Sequence, residues 1–259
     1  VGYILPIPIF KTEDEFIQEV EIGKPKPGKV AEIRKLVDQG YFFKGMARFI
    51  GNILEEDVRP ELIPIKSAEE ISLQSMIKVV GDKFDGFFKC PVCGTEEKRM
   101  LMSDDPDDDM RLSIHDLESR KQEVPAQDFT IELIEPVELK AMSKDGEPFV
   151  VKSLRMRYPT LADGIKAEKT GTEDEEQFRI YVNCLEEING DGLPVSARIR
   201  NATGILIFRE MGWDDLEALG RKVTREFGLQ TYIEIDCRKC GKHYKGEVNT
   251  ASFFASALE

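Results

Sequence analysis

The reading of this chain turns on Cys90-Pro91-Val92-Cys93-Gly94 and its distant counterpart Cys237-Arg238-Lys239-Cys240-Gly241. Each is a C-x-x-C-G knuckle between segments that read as strands: Phe84 to Met102 around the first, and Thr231–Asp236 with Tyr244–Val248 around the second. Two knuckles supply four thiolates, the ligand number of a tetrahedral structural zinc site. A shared metal would bring residue 90 against residue 240 and turn the intervening chain into an insertion closed at its base. Cys90, Cys93, Cys237 and Cys240 are therefore the candidate ligands, with structural Zn2+ as the cofactor. A disulfide within each C-x-x-C is the competing picture. The tight turns, the flanking strands and the odd total of five cysteines favour metal, and a reducing cytoplasm as the place of synthesis.

Four cysteines would close the metal's coordination shell, whereas a catalytic zinc keeps one position open beside an acid or base. The chain has only two histidines, His115 and His243. His115 has no metal-binding partner at i+4. His243 follows Cys240 by three residues and is read as lying outside the ligand set. There is no Walker loop, no G-x-G-x-x-G and no G-x-S-x-G. The expectation is a non-enzymatic protein with no catalytic and no organic-cofactor residues. Cys184 reads as a buried or half-buried free thiol.

Lys89, Lys98 and Arg99 flank the first knuckle; Arg238, Lys239, Lys242 and Lys245 flank the second. They can offset the formal −2 of a zinc tetrathiolate. The same cluster could make a zinc-ribbon nucleic-acid adaptor. Against that stands the whole chain, with 36 basic and 49 acidic residues and a net charge of −13, which repels phosphate. No apolar run approaches the ~20 residues of a membrane-spanning helix.

Working outward, residues 1–83 read as an extended arm, with prolines at 6 and 8, followed by three amphipathic helices. The stretch 1–22 could dock on a partner or lie as a first strand along its own domain. Ser67-Ala68-Glu69-Glu70 reads as a capping box at a helix start. Residues 84–103 and 230–250 form the split ribbon. Residues 104–157 hold an acidic loop (104–109), a long connection and a hairpin turning at Asp145-Gly146. Residues 158–229 read as helical, with starts at Thr160 and Thr172. Phe178, Tyr181, Val182, Leu185 and Ile188 form one stripe, and Trp213 packs at the head of the clearest helix. Residues 251–259 form an apolar tail. The expected fold class is α+β: helical layers plus β-hairpins around a split zinc ribbon with four cysteine ligands.

The order of parts also resembles a known family. After the first knuckle come Arg157-Tyr158-Pro159-Thr160, a helix ending Ile188-Asn189-Gly190, Met211-Gly212-Trp213-Asp214-Asp215, Phe227-Gly228, the second knuckle and Phe253-Phe254. This is similar to T4-type bacteriophage baseplate proteins, the hub or hub-assembly subunits of contractile tails. The resemblance implies a structural or assembly role in the baseplate hub, residence in the virion after synthesis in the host cytoplasm, and multiple copies per assembly. Its partners would be other tail proteins, met through the 1–22 arm and the Phe253-Phe254 tail. A tail-assembly chaperone that leaves before maturation is the alternative.

Overall fold

A computed structural model describes residues 2–12, 15–81, 83–84, 86–99, 112–113, 117–144, 147–169, 172–192, 197–230 and 232–247. The acidic loop 104–109, His115, the Asp145-Gly146 turn and the 251–259 tail lie outside the described residues. The protein is an α+β fold. Among the described residues no helix is long and apolar enough to cross a membrane.

The chain opens with β1 (Tyr3–Phe10), antiparallel to β2 (Phe16–Val20), then α1 (Pro27–Asp38), α2 (Phe42–Ile50) and α3 (Ile65–Val80). Gly40, at φ 79°, ends the first helix in the left-handed region that glycine tolerates. Residues 1–22 are not a free arm. Leu5, Ile7 and Ile9 of β1 are buried in the body. The prolines at 6 and 8 leave few N–H groups to pair, and Ile7 satisfies its own backbone on Ser67. That hydroxyl accepts from Ile7 N at 3.2 Å and donates to Ile7 O at 2.5 Å.

This overturns the capping box at Ser67–Glu70. Helix α3 begins three residues earlier than that box would start it, with Pro64 as its N-cap residue, and no side chain caps it. The helix is buried on several sides, so its polar residues need partners from other elements. Glu70, 1% exposed, accepts from Tyr3 Oη and, at 2.8 and 3.0 Å, from Ser119 Oγ. Burial raises its pKa against the pull of those hydrogen bonds.

Next come β3 (Lys83–Phe84), β4 (Gly86–Lys89), β5 (Glu96–Arg99), β6 (Leu112–Ser113) and β7 (Ser119–Arg120). The connection is packed where it is described. Leu117 and Gln122 are buried, and Gln122 N donates to Pro6 O at 2.9 Å. A long hairpin follows, β8 (Asp128–Lys144) against β9 (Glu147–Arg157), with a register break between Glu132 and Val137.

The segment read as helical contains α4 (Leu161–Ala167), α5 (Glu173–Cys184), α6 (Ala197–Glu210) and α7 (Trp213–Thr224), and also strands. Thr160–Asp163 and Thr172–Glu175 form capping boxes at the two expected starts. The stripe through Leu185 and Ile188 does not stay helical. Helix α5 stops at Cys184, and β10 (Leu185–Ile188) joins the hairpin beside β9, with β11 (Asp191–Gly192) outside it. Three-residue spacing of two apolar groups does not by itself separate a helix from a strand. The chain closes with β12 (Gly228–Leu229), which pairs with β7, and the hairpin β13 (Tyr232–Asp236)–β14 (His243–Glu247).

Two apolar cores result. The first gathers β1, β2, α1–α3 and both knuckle hairpins; the second lies between the β8–β9–β10 sheet and helices α5–α7. Strand β1 serves both, with Leu5 and Ile9 in the first and Ile7 in the second. Polar ties join the exit of the hairpin to the first core: Ile65 N donates to Pro159 O at 2.8 Å and Leu161 N to Ile63 O at 3.0 Å. Glu168, past the end of α4, accepts from Phe43 N and, at 3.2 Å, from Lys44 N, capping the otherwise uncapped start of α2.

Arg157 and Asp163 fix the turn from the hairpin into α4 through two parallel bonds of 2.6 and 2.7 Å. Burial works against the Asp163 charge, but Arg157 and the Thr160 N–H outweigh it and hold the carboxyl below its usual range. Asp163→Asn would strand a largely buried guanidinium and lower unfolding stability by about 3 kcal/mol. Because the folded pKa is depressed, the Asp163 contribution is complete above its unfolded value and fades as pH falls through the folded one. Urea denaturation of both proteins should therefore show a deficit at neutral pH that shrinks toward acid.

Candidate metal centre

Each knuckle is a turn with the same hydrogen bonds. Cys90 N donates to Thr95 O and Gly94 N to Cys90 O, both at 2.9 Å. Cys237 N donates to Lys242 O at 2.9 Å and Gly241 N to Cys237 O at 2.8 Å. Both turns need a left-handed residue just after the second cysteine, and Gly94 (φ 68°) and Gly241 (φ 67°) supply it. Each turn thus presents the two sulfurs of a C-x-x-C, half the ligand set of a tetrathiolate site.

The two halves meet. Cys90 Sγ lies 3.7 Å from Cys240 Sγ, Cys93 Sγ lies 3.6 Å from Cys237 Sγ, and all four sulfurs fall within 4.8 Å of one another. Disulfides need about 2.05 Å; the cysteines are free thiols. A tetrahedron of sulfurs about 2.3 Å from a zinc ion has edges of about 3.8 Å. The cluster fits one such ion and could hold it.

Packing brings the hairpins together. Phe88, Cys90, Ile235, Cys237 and Tyr244 are buried in the first core. Strand β14 runs against β4 with Gly246 at the crossing, where an added Cβ would lie 2.4 Å from Ile235 Cδ1 and 2.5 Å from Phe88 Cδ1. Only glycine permits that approach.

Crowding four thiols drives their proton affinities apart. The Thr95 hydroxyl, 3.2 Å from Cys93 Sγ, and its backbone pull the Cys93 thiol down to about 6. The Cys240 backbone favours a Cys237 thiolate, but desolvation and the neighbouring sulfurs win and push that thiol to about 12. Four thiolates cannot share the site without a cation to hold them.

Among the flanking cations, Lys89 reaches Glu96 at 4.0 Å, while Arg238, Lys239, Lys242 and Lys245 are exposed. His243 turns away from the sulfurs: its Nδ1 lies 2.9 Å from Asp236 Oδ1, and that hydrogen bond raises its pKa. Cys184 stands far from the cluster in the second core. Burial pushes its thiol well up, with Asp163 adding to the effect, so it stays protonated and unreactive.

Two polar anchors were not legible as such. Glu70 looked like the end of a capping box. Asp215 looked like an ordinary first-turn acid but is 1% exposed and accepts from Ile134 N (2.8 Å) and Glu135 N (3.2 Å) of β8. Trp213, expected to pack at the helix start, instead stands 79% exposed. The readable signal was the doublet Asp214-Asp215, one more acid than a helix start requires.

Compared with known families, residues 24–255 match the family model described as T4 bacteriophage base plate protein. No curated protein and no solved structure gives a significant match.

Gly246→Val should force the hairpins apart while leaving all four cysteines present. Titration with a chromophoric metal chelator should show metal affinity reduced by roughly tenfold or more, in line with loss of groups that support a metal site indirectly. Unchanged affinity would mean that the crossing does not set the sulfur geometry.

Proposed function

The chain belongs to the T4 bacteriophage base plate protein family, and on that premise we propose that it is a non-enzymatic structural or assembly component of the baseplate hub, stapled by a structural zinc ion on Cys90, Cys93, Cys237 and Cys240. The observation that carries this reading is the closed four-sulfur cluster in a chain matched to the family over residues 24–255. All four positions of a tetrahedral ion would be taken by cysteine, which leaves none for substrate or activated water.

In this reading the zinc works on the unfolded state as much as on the folded one. Cys93 and Cys237 are 144 residues apart. Cross-linking a loop of that length removes chain entropy equivalent to about 5 kcal/mol, if a metal bridge behaves as a disulfide does. The segment between the knuckles carries the second core, so the staple holds the fold's two halves in register for assembly with other tail proteins. The apolar face of β1 is used internally. Among the described residues of 1–22, Ile4 and Phe16 remain as large exposed apolar groups for a partner. The Phe253-Phe254 tail keeps its proposed contact role.

Cys93→Ser should loosen both hairpins. Limited proteolysis is expected to cut the variant between residues 94 and 236 faster than wild type, as chelator-treated wild type should be cut; equal rates would remove the staple from the proposal. Mass spectrometry of purified particles should find the chain in mature virions at a fixed ratio to other baseplate proteins. Its presence in assembly intermediates but not in virions would identify it as a departing chaperone.

A further inference from the structure

We propose that Trp213 and Ile134 form a docking knob for a second tail protein that presents an apolar socket rimmed by lysine or arginine. This inference rests on the baseplate reading above and adds a surface to it.

Trp213 is the first residue of α7 and is 79% exposed; Ile134, on β8, is 69% exposed. Their neighbours point the other way: Leu133 is buried in the second core and Leu216 packs against it. Both elements are therefore anchored, and these two side chains are what they turn outward. Scattered exposed apolar residues are ordinary. Here the two are tied to each other. The buried Asp215 carboxylate binds the backbone N–H groups of Ile134 and Glu135, within the register break between Glu132 and Val137. Gly212 comes so close that an added Cβ would sit 3.4 Å from Glu135 Oε2. A buried carboxylate thus rigidifies the backbone beneath a tryptophan and an isoleucine that water surrounds. Tryptophan is among the residue types enriched as interface anchors.

The charge around the knob selects the partner. Glu135 and Asp214 are exposed with no ion-pair partner among the described residues. Glu217, one turn on from Trp213, reaches Arg221 only at 3.9 Å. An apolar centre with an acidic rim is complemented by an apolar socket with a basic rim. A second copy of this chain, meeting the same face, would set acid against acid. Anionic lipid would be repelled for the same reason.

Trp213 is the sole tryptophan, so its fluorescence reports the knob directly. The test adds purified full-length chain to baseplate intermediates assembled without it, produced by a phage with a nonsense mutation in the corresponding gene. Wild type should co-sediment with the particles, its emission moving to the blue and becoming shielded from acrylamide. Trp213→Ala should lower incorporation roughly tenfold or more with unchanged thermal unfolding. Glu135→Lys with Asp214→Lys should lower it further at low salt than at high salt. Wild type that incorporates with Trp213 still open to the quencher, or Trp213→Ala that incorporates equally, overturns the knob. If wild type does not incorporate at all, the baseplate reading itself falls. If Trp213→Ala abolishes self-association of the isolated chain, the occupant is a second copy and the assignment to another protein is wrong.

Discussion

Four sulfur atoms contributed by residues 90, 93, 237 and 240 sit within 4.8 Å of one another, and the remainder of the molecule is arranged so that they can. Thiols do not gather by themselves: each prefers water or an apolar niche to three like neighbours that would repel it once ionised. The gathering is imposed by packing. Gly246 lets β14 pass over Phe88, and Ile235 and Tyr244 fill the first core around the contact. A cation at the centre would turn an electrostatic cost into the tie that closes the insertion.

That tie would fix the base of the insertion only. Elsewhere, polar contacts tie elements to one another or fix a turn. Ser67 satisfies Ile7 of β1, Glu168 caps α2, and Arg157 with Asp163 sets the turn into α4. The first two join segments far apart in sequence, so neither forms until the chain has collapsed. Strand β1, with side chains in both cores, spans the boundary between them.

How far the sequence could be read follows from which interactions are local. The knuckles were legible because C-x-x-C-G encodes a turn, a ligand pair and a left-handed glycine within five residues. The capping boxes at Thr160 and Thr172 were legible because donor and acceptor lie three residues apart. Ser67 and Glu70 have the same spacing, yet their partners are Ile7, Tyr3 and Ser119, on strands that only the tertiary fold brings near. Leu185 and Ile188 fit either periodicity, and pairing with β9 made them a strand. Trp213 was expected to pack because tryptophan is highly buried on average, yet it stands exposed while Asp215, two residues on, turns inward to β8.

The functional reading inherits this structure. Family membership gives the setting, a baseplate, and a metal held by the four cysteines would give a physical reason for the chain to hold its shape there. The most direct test is zinc-edge X-ray absorption on protein purified under reducing conditions. A structural tetrathiolate predicts about one zinc per chain with four sulfur neighbours at about 2.3 Å and no nitrogen or oxygen bound to the metal. Metal-free protein with both C-x-x-C pairs oxidised, or a zinc ion with nitrogen or oxygen among its ligands, would contradict it.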